Sequence, residues 1–206
     1  MIKFIFPVDS NISYEQRKEA MIQEPHLIWL TGLSGSGKTT LALRLEHYFF
    51  LQGFKVFMLD GDNVRNGLCK DLGFSEEDRK ENLRRVGEVA KLMLDAGLTV
   101  ICSFISPCGE DRMAIKNIVG ESRFIEVYVN CSVEVCEERD VKGLYAKARK
   151  GIIPNFTGIS APYDPPVAPK LEVRTDEETI EESMYKIVRL VEPVMRLETQ
   201  QSYYSI

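Results

Sequence analysis

Residues 32–40 read GLSGSGKTT, in which Gly32, Gly37, Lys38 and Thr39 fit the spacing G-x-x-x-x-G-K-[ST] without a gap. Residue types in that order suit the gripping of a nucleoside triphosphate. A loop of this kind bends so that successive backbone N–H groups point into one concavity. Glycines at 32, 35 and 37 leave room for a phosphate that side chains would keep away. Leu33, Ser34 and Ser36 complete the bend and Thr40 follows it. Lys38 would reach the β- and γ-phosphates, and the Thr39 hydroxyl would take a place on Mg2+. A helix beginning near Lys38 would add its positive end. A Gly/Ser-rich turn without a ligand is the plain alternative, and the apolar stretch before it and helical stretch after it weigh against that.

A phosphate-gripping loop alone does not say what receives the phosphate. The sequence has no NKxD guanine-reading motif, which argues against a GTPase. It also lacks the apolar strand closing on an acid plus Glu that ATPases favour. Instead, a second apolar stretch ends in DGDNVRNGL, where Asp60 and Asp62 lie two apart. At a strand end, two such acids can share a cleft edge or straddle it. One can order Mg2+ while the other takes a proton from an attacking hydroxyl. An aspartate at Asp62 capping the helix NVRNGL accounts for one acid and leaves the other unexplained. Positive charge follows: Arg65, then Arg79 with Asn82 three residues on, continued by Arg85 and Val86 on the same helix face. An anionic acceptor would need such a cluster, although a solvated face is the commoner use of charge on a helix. A kinase for some small hydroxyl acceptor and a nucleotide-binding regulator without transferase activity both remain open on these residues.

The elements that must position them alternate. LIWLT reads as a buried strand before the loop, and the stretch from Lys38 as a helix stopped by Gly53. KVFMLD is the next strand, and Ser75 followed by EED opens a helix running to Ala96. LTVICSF and FIEVYVN are further strands, and Asp176–Leu197 is an amphipathic helix. Strands alternating with helices at this spacing predict an α/β domain with a mainly parallel sheet. Residues 1–25 read as an N-terminal arm with a short helix, and 26–206 as the domain. Residues 150–170 carry five prolines and form an irregular stretch, the kind that usually serves as a lid. The net charge of −5 excludes a whole-surface attraction to nucleic acid or anionic lipid. Five cysteines without a CxxC pair argue against a disulfide framework, and no apolar run is long enough to span a membrane. Cytoplasm is the default expectation. Two scattered histidines are too few for a zinc site.

From GLSGSGKTT through DGDNVR, LGFSEEDRKENLRRVGEVAKL, SFISP, RDVKGLY and FTGI, the chain resembles the adenylylsulfate kinase family. The motifs follow in the family's order from about residue 25 to about residue 170. The resemblance implies a P-loop three-layer fold with a lid at about 140–170. It also implies phosphorylation by Mg2+-ATP of the 3′-hydroxyl of adenosine 5′-phosphosulfate. Carried over residue by residue, Asp60 joins Thr39 at the metal and Asp62 is the base. Arg65, Arg79 and Asn82 would hold the phosphosulfate, Phe74 and Phe156 would sandwich its adenine, and Ile105 and Thr157 would line the same side. Ser106 matches a serine sometimes assigned as a phosphorylated intermediate; in-line transfer makes contact with the acceptor its expected role. Arg139 would lie near the donor nucleotide, and Lys142 would anchor the lid or touch the acceptor. Kinship further suggests a homodimer. Two places depart from the family pattern: no basic residue stands between Lys150 and Phe156, and CGE follows ISP. Both take positive charge or packing from the acceptor side.

Overall fold

The structure is a computed structural model, and it describes residue 4 and residues 6–197. The outermost ends of the expected arm and domain, residues 1–3, 5 and 198–206, lie outside the described residues.

Five parallel strands form one sheet: β1 (Leu27–Thr31), β2 (Val56–Asp60), β3 (Thr99–Ser103), β4 (Phe124–Asn130) and β5 (Leu171–Arg174), in the order β2-β3-β1-β4-β5. Two of the three interior strands, LIWLT and TVICS, are buried at every position. That requires helices on both faces, and the alternation of side chains sorts the core accordingly. Ile28 and Leu30 face α2 (Lys38–Leu51) and α8 (Ile180–Met195), packing with Leu41, Leu45, Phe49, Ile187 and Val191. Leu27 and Trp29 face α4 (Glu76–Asp95) and α5 (Gly109–Val119), with Leu83, Val86, Ala90, Leu94 and Ile115. The expected fold class is therefore the observed one.

Helix ends follow local chemistry. Ser75 caps α4, its hydroxyl accepting from the Asp78 N–H, with Glu76, Glu77 and Asp78 in the positive first turn. The C-terminal helix starts later than Asp176: Thr179 and Glu182 form a reciprocal cap that fixes Ile180 as its first residue, while Asp176 accepts from the Ser132 N–H. At the other junction the expected cap also shifts. Asp60, not Asp62, caps the short helix α3 (Gly61–Asn66), accepting from the Asp62 N–H at 3.0 Å. Among the elements without a counterpart in the expected pattern are α5, the four-residue β5, and the pair α6 (Val133–Arg139) and α7 (Leu144–Arg149) after β4.

The arm contributes α1 (Tyr14–Met21), capped by Ser13 and Gln16. Beyond it the fully buried Gln23 donates to the carbonyls of Lys55 and Gly97, both at 2.9 Å, and accepts from the Lys55 N–H at 2.7 Å. Residues 150–170 hold no helix or strand, only a bridge between Thr157 and Ala161. They are fastened beneath by a small apolar cluster of Leu33, Cys136, Tyr145, Ala148 and Phe156. All five cysteines are free, as expected, and Cys102 is a core residue. Among the described residues, no helix is long and apolar enough to cross a membrane.

Candidate active site

The carboxyl ends of β1, β2 and β3 meet at one edge of the sheet, where open α/β sheets place their ligands. The loop from β1 to α2 turns there. Gly35 has φ +79°, and a Cβ on it would lie 2.8 Å from the Cys136 carbonyl oxygen, so only glycine fits. The loop backbone is held from outside by residues that spacing could not reveal. Tyr145 Oη donates to the Ser34 carbonyl at 2.8 Å, and Thr175 Oγ1 to the Ser36 carbonyl at 2.8 Å. Arg139 donates to the Gly35 carbonyl at 3.3 Å and to the Thr175 carbonyl at 2.5 Å, which places it beside the phosphate loop.

Lys38 is buried and folds its ammonium onto the Leu33 carbonyl at 2.6 Å, with Ser36 Oγ at 3.5 Å. Burial pushes its pKa down to about 8, against the opposing pull of Cys136 and Asp60. Thr40 is exposed on the first turn. Thr39 Oγ1 donates to Asp60 Oδ2 at 3.0 Å and lies 3.2 Å from Ser103 Oγ. Three oxygens from three separate elements thus converge beside the loop. Ser103, at the end of β3, was not singled out from the sequence.

The two acids separate in role. Asp60 is fixed through both carboxylate oxygens, one to Thr39 and one to its own helix cap. Asp62 projects from the first turn of α3 with its side chain 68% exposed, and its only ion pair among the described residues is with Lys142, at the root of the lid.

On the far side of Asp62, Arg65 donates to the Gly73 carbonyl at 2.7 Å and lies over the Phe74 ring, 4.4 Å from its centroid. Arg79 ties three groups together: the Phe74 carbonyl at 3.0 Å, Thr157 Oγ1 at 3.1 Å and the Asn155 carbonyl at 2.7 Å. It therefore brings Phe74 and the NFT segment of the lid to one guanidinium. The two rings are not alike. Phe74 is exposed, whereas Phe156 is buried edge-on against Tyr145 at 4.9 Å. Asn82 is 3% exposed, and its Oδ1 has no hydrogen-bond partner among the described residues. The helix face expected to continue through Arg85 and Val86 divides. Val86 enters the core, and Arg85 turns outward to Asp71 at 2.7 Å and Glu81 at 2.9 Å.

Ser106 is buried with a left-handed φ of +40°. Its Oγ accepts from Trp29 Nε1 at 3.0 Å and donates to Thr31 Oγ1 at 2.8 Å. Thr31 Oγ1 in turn donates to the Ile105 carbonyl at 2.8 Å. The hydroxyl is engaged in both directions inside the core, an arrangement suited to holding the turn and unsuited to a free nucleophile.

Comparison with known proteins agrees with this geometry. The sequence model of the family described as adenylylsulphate kinase matches residues 24–174. An adenylyl-sulfate kinase of Staphylococcus epidermidis is 54% identical over 181 residues, covering 88% of this chain and 91% of that one. One from Shewanella pealeana is 58% identical over 167 residues, covering 81% and 82%. Among solved structures, the APS kinase of Mycobacterium tuberculosis in complex with AMPPNP and APS superposes with a TM-score of 0.79 at 43% identity. It covers 82% of this chain and 98% of that one. The five-stranded parallel sheet and kinship across most of the chain lead to one conclusion: this protein belongs to the adenylylsulphate kinase family.

Proposed function

We propose that the chain transfers the γ-phosphoryl group of ATP to the 3′-hydroxyl of adenosine 5′-phosphosulfate, and that the residues described above divide the work as follows. The loop amides of residues 32–40 and the Lys38 ammonium bind the β- and γ-phosphates. To do so, Lys38 leaves the Leu33 carbonyl on which it rests. Thr39, Asp60 and, behind them, Ser103 offer only hard oxygen donors, with Asp60 Oδ2 3.0 Å and Ser103 Oγ 3.2 Å from Thr39 Oγ1, a set that fits Mg2+. When bound, Mg2+ neutralises charge on the triphosphate oxygens.

The acceptor lies on the basic side, its anionic groups toward Arg65, Arg79 and Asn82. Phe74 and Phe156 with Thr157 bound its base, and Ile105 and Ser106 form the wall behind. The 3′-oxygen forms a bond to the γ-phosphorus as the bond to the β,γ-bridging oxygen breaks. Asp62 takes the hydroxyl proton, and ADP carries away the electron pair. Lys142 must first release the Asp62 carboxylate, so the lid root and the base change together. Closure over the site keeps water from the γ-phosphate.

The observation that carries this reading is the placement of Asp62. It stands two residues from an acid already fixed to Thr39, is exposed and paired among the described residues only with Lys142, and has the guanidinium groups of Arg65 and Arg79 beyond it. The test is an ADP-release assay with adenosine 5′-phosphosulfate set against nucleosides and sugar acids, with the product identified by mass. Turnover of the phosphosulfate alone supports the reading, and preference for another hydroxyl overturns it. A homodimer, suggested by kinship, is part of the proposal and is read by light scattering.

A further inference from the structure

The buried Arg112 of α5 belongs to none of the groups assigned above, yet it is 5% exposed and joins three separate segments. Its Nε donates to Glu126 on β4 at 2.9 Å, Nη1 to the Ser106 carbonyl at 2.7 Å, and Nη2 to the Asp164 carbonyl at 2.7 Å. The neighbouring bonds reinforce the same junction. The Asp164 N–H donates to the Pro107 carbonyl at 2.8 Å, and the Tyr163 hydroxyl lies 3.0 Å from Thr31 Oγ1. The carboxyl-terminal foot of the lid is thus sewn to the turn Ile105–Pro107, whose Ser106 holds a backbone conformation that side chains seldom adopt.

We propose that Arg112 is a positioning residue for the acceptor: it makes the turn at 105–107 and the lid foot at 163–164 one rigid piece, and so sets acceptor affinity. This inference rests on the reading above that the turn faces the acceptor. A planar guanidinium reaches three acceptors in three directions at once, which a single ammonium cannot reproduce. Nothing places Arg112 in contact with the reacting atoms, so its effect runs through the turn. The donor side is held by a different set of residues, Arg139, Tyr145 and Thr175.

The test compares Arg112→Lys with Glu126→Gln in the full chain. It measures KM for adenosine 5′-phosphosulfate and for ATP separately, the thermal midpoint, and the emission of Trp29, the single tryptophan, whose indole N–H bonds Ser106. Arg112→Lys raises the acceptor KM by roughly tenfold or more, as expected for lost charge-assisted bonds, leaves the ATP KM within about twofold and shifts the emission. Glu126→Gln keeps both carbonyl contacts, so it lowers the midpoint and moves neither KM. An unchanged acceptor KM in Arg112→Lys overturns the inference, as does an acceptor KM that rises in step with lost stability in Glu126→Gln. If Arg112→Lys fails to fold, Tyr163→Phe decides: a several-fold rise in acceptor KM alone supports the coupling and no rise refutes it. If the wild type binds ATP but does not turn over the phosphosulfate, the functional reading falls. The substrate-free emission of Arg112→Lys then still reports whether Arg112 holds the turn, an unshifted spectrum refuting it.

Discussion

Replacing Asp62 by Asn separates proton transfer from every other task at the site. Among the described residues the carboxylate bonds only Lys142, and both side chains are more than half exposed, at 68% and 61%. Such a pair is worth about 0–1 kcal/mol, so the variant should fold with a thermal midpoint close to wild type. Its backbone N–H still donates to Asp60, so the start of α3 and the fixed acid are undisturbed. No group of the phosphate loop bonds the Asp62 side chain among the described residues, and ATP affinity should stay within about twofold. Turnover should not survive: general-base catalysis contributes about 10²–10⁴-fold, or about 3–5 kcal/mol of barrier. Asp60→Asn is the control. It weakens the contact to Thr39 at 3.0 Å and the helix cap together, so ATP binding and stability fall as well. The assay pairs steady-state ADP release with equilibrium binding of a fluorescent ATP analogue. If Asp62→Asn loses ATP binding as much as Asp60→Asn does, Asp62 is a metal or structural acid and the assignment of the base is wrong.

Three other outcomes follow from particular contacts. In ATP-free protein the Lys38 ammonium titrates near 8, below its unfolded value, because it is buried. Unfolded chains therefore bind the extra proton between about 8 and about 10.5. Stability from this group rises with pH across that window and is lost below it. ATP needs the charged form, so affinity should fall above about pH 8, and binding at pH 8.5 should take up a proton. Calorimetry in buffers of different ionisation enthalpy detects this uptake, which Lys38→Met should abolish. Asn82→Leu removes a buried amide oxygen without a partner, so the thermal midpoint should hold or rise while acceptor KM increases at least tenfold. A midpoint falling by several degrees would show that the amide is satisfied. Gly35→Ala meets both a left-handed φ and the Cys136 carbonyl, and should cost ATP binding more than a hundredfold, read by the same fluorescent analogue.

The legible parts of the molecule were those whose physics is local. The phosphate loop needs glycine at set positions, β1 and β3 need unbroken apolar runs, and Ser75 with its acids announces α4. The acid pair was visible, but which aspartate caps α3 depends on where the helix begins by a single residue, and two acids two apart read alike. The segment Gly109–Val119 carried a helical apolar rhythm through Ile115, Ile118 and Val119 that went unused, and Gly120 ends it. Four-residue β5, half polar, has too little pattern to stand out from a proline-rich approach. What no spacing could show is how distant side chains bond the loop's carbonyls: Tyr145, Arg139 and Thr175 lie 104 to 139 residues away in the chain from the groups they hold. Arg85 was misplaced for a related reason, since a helix turning 100° per residue carries it to Asp71 on the outer surface.

The amide of Gln23 carries a practical lesson for anyone shortening this protein. A variant begun at residue 26, where the strand-and-helix rhythm starts, would strip the Gln23 amide from the Lys55 N–H and the Gly97 C=O, at the end of the sheet opposite the phosphate loop, while the Lys55 C=O would keep the Thr99 N–H. Gly97 is buried, and a buried carbonyl left without a partner costs about 1–3 kcal/mol, a large fraction of the margin that keeps a small domain folded. The natural place to cut is upstream of Ser13, which leaves the plug at the base of the sheet in its socket.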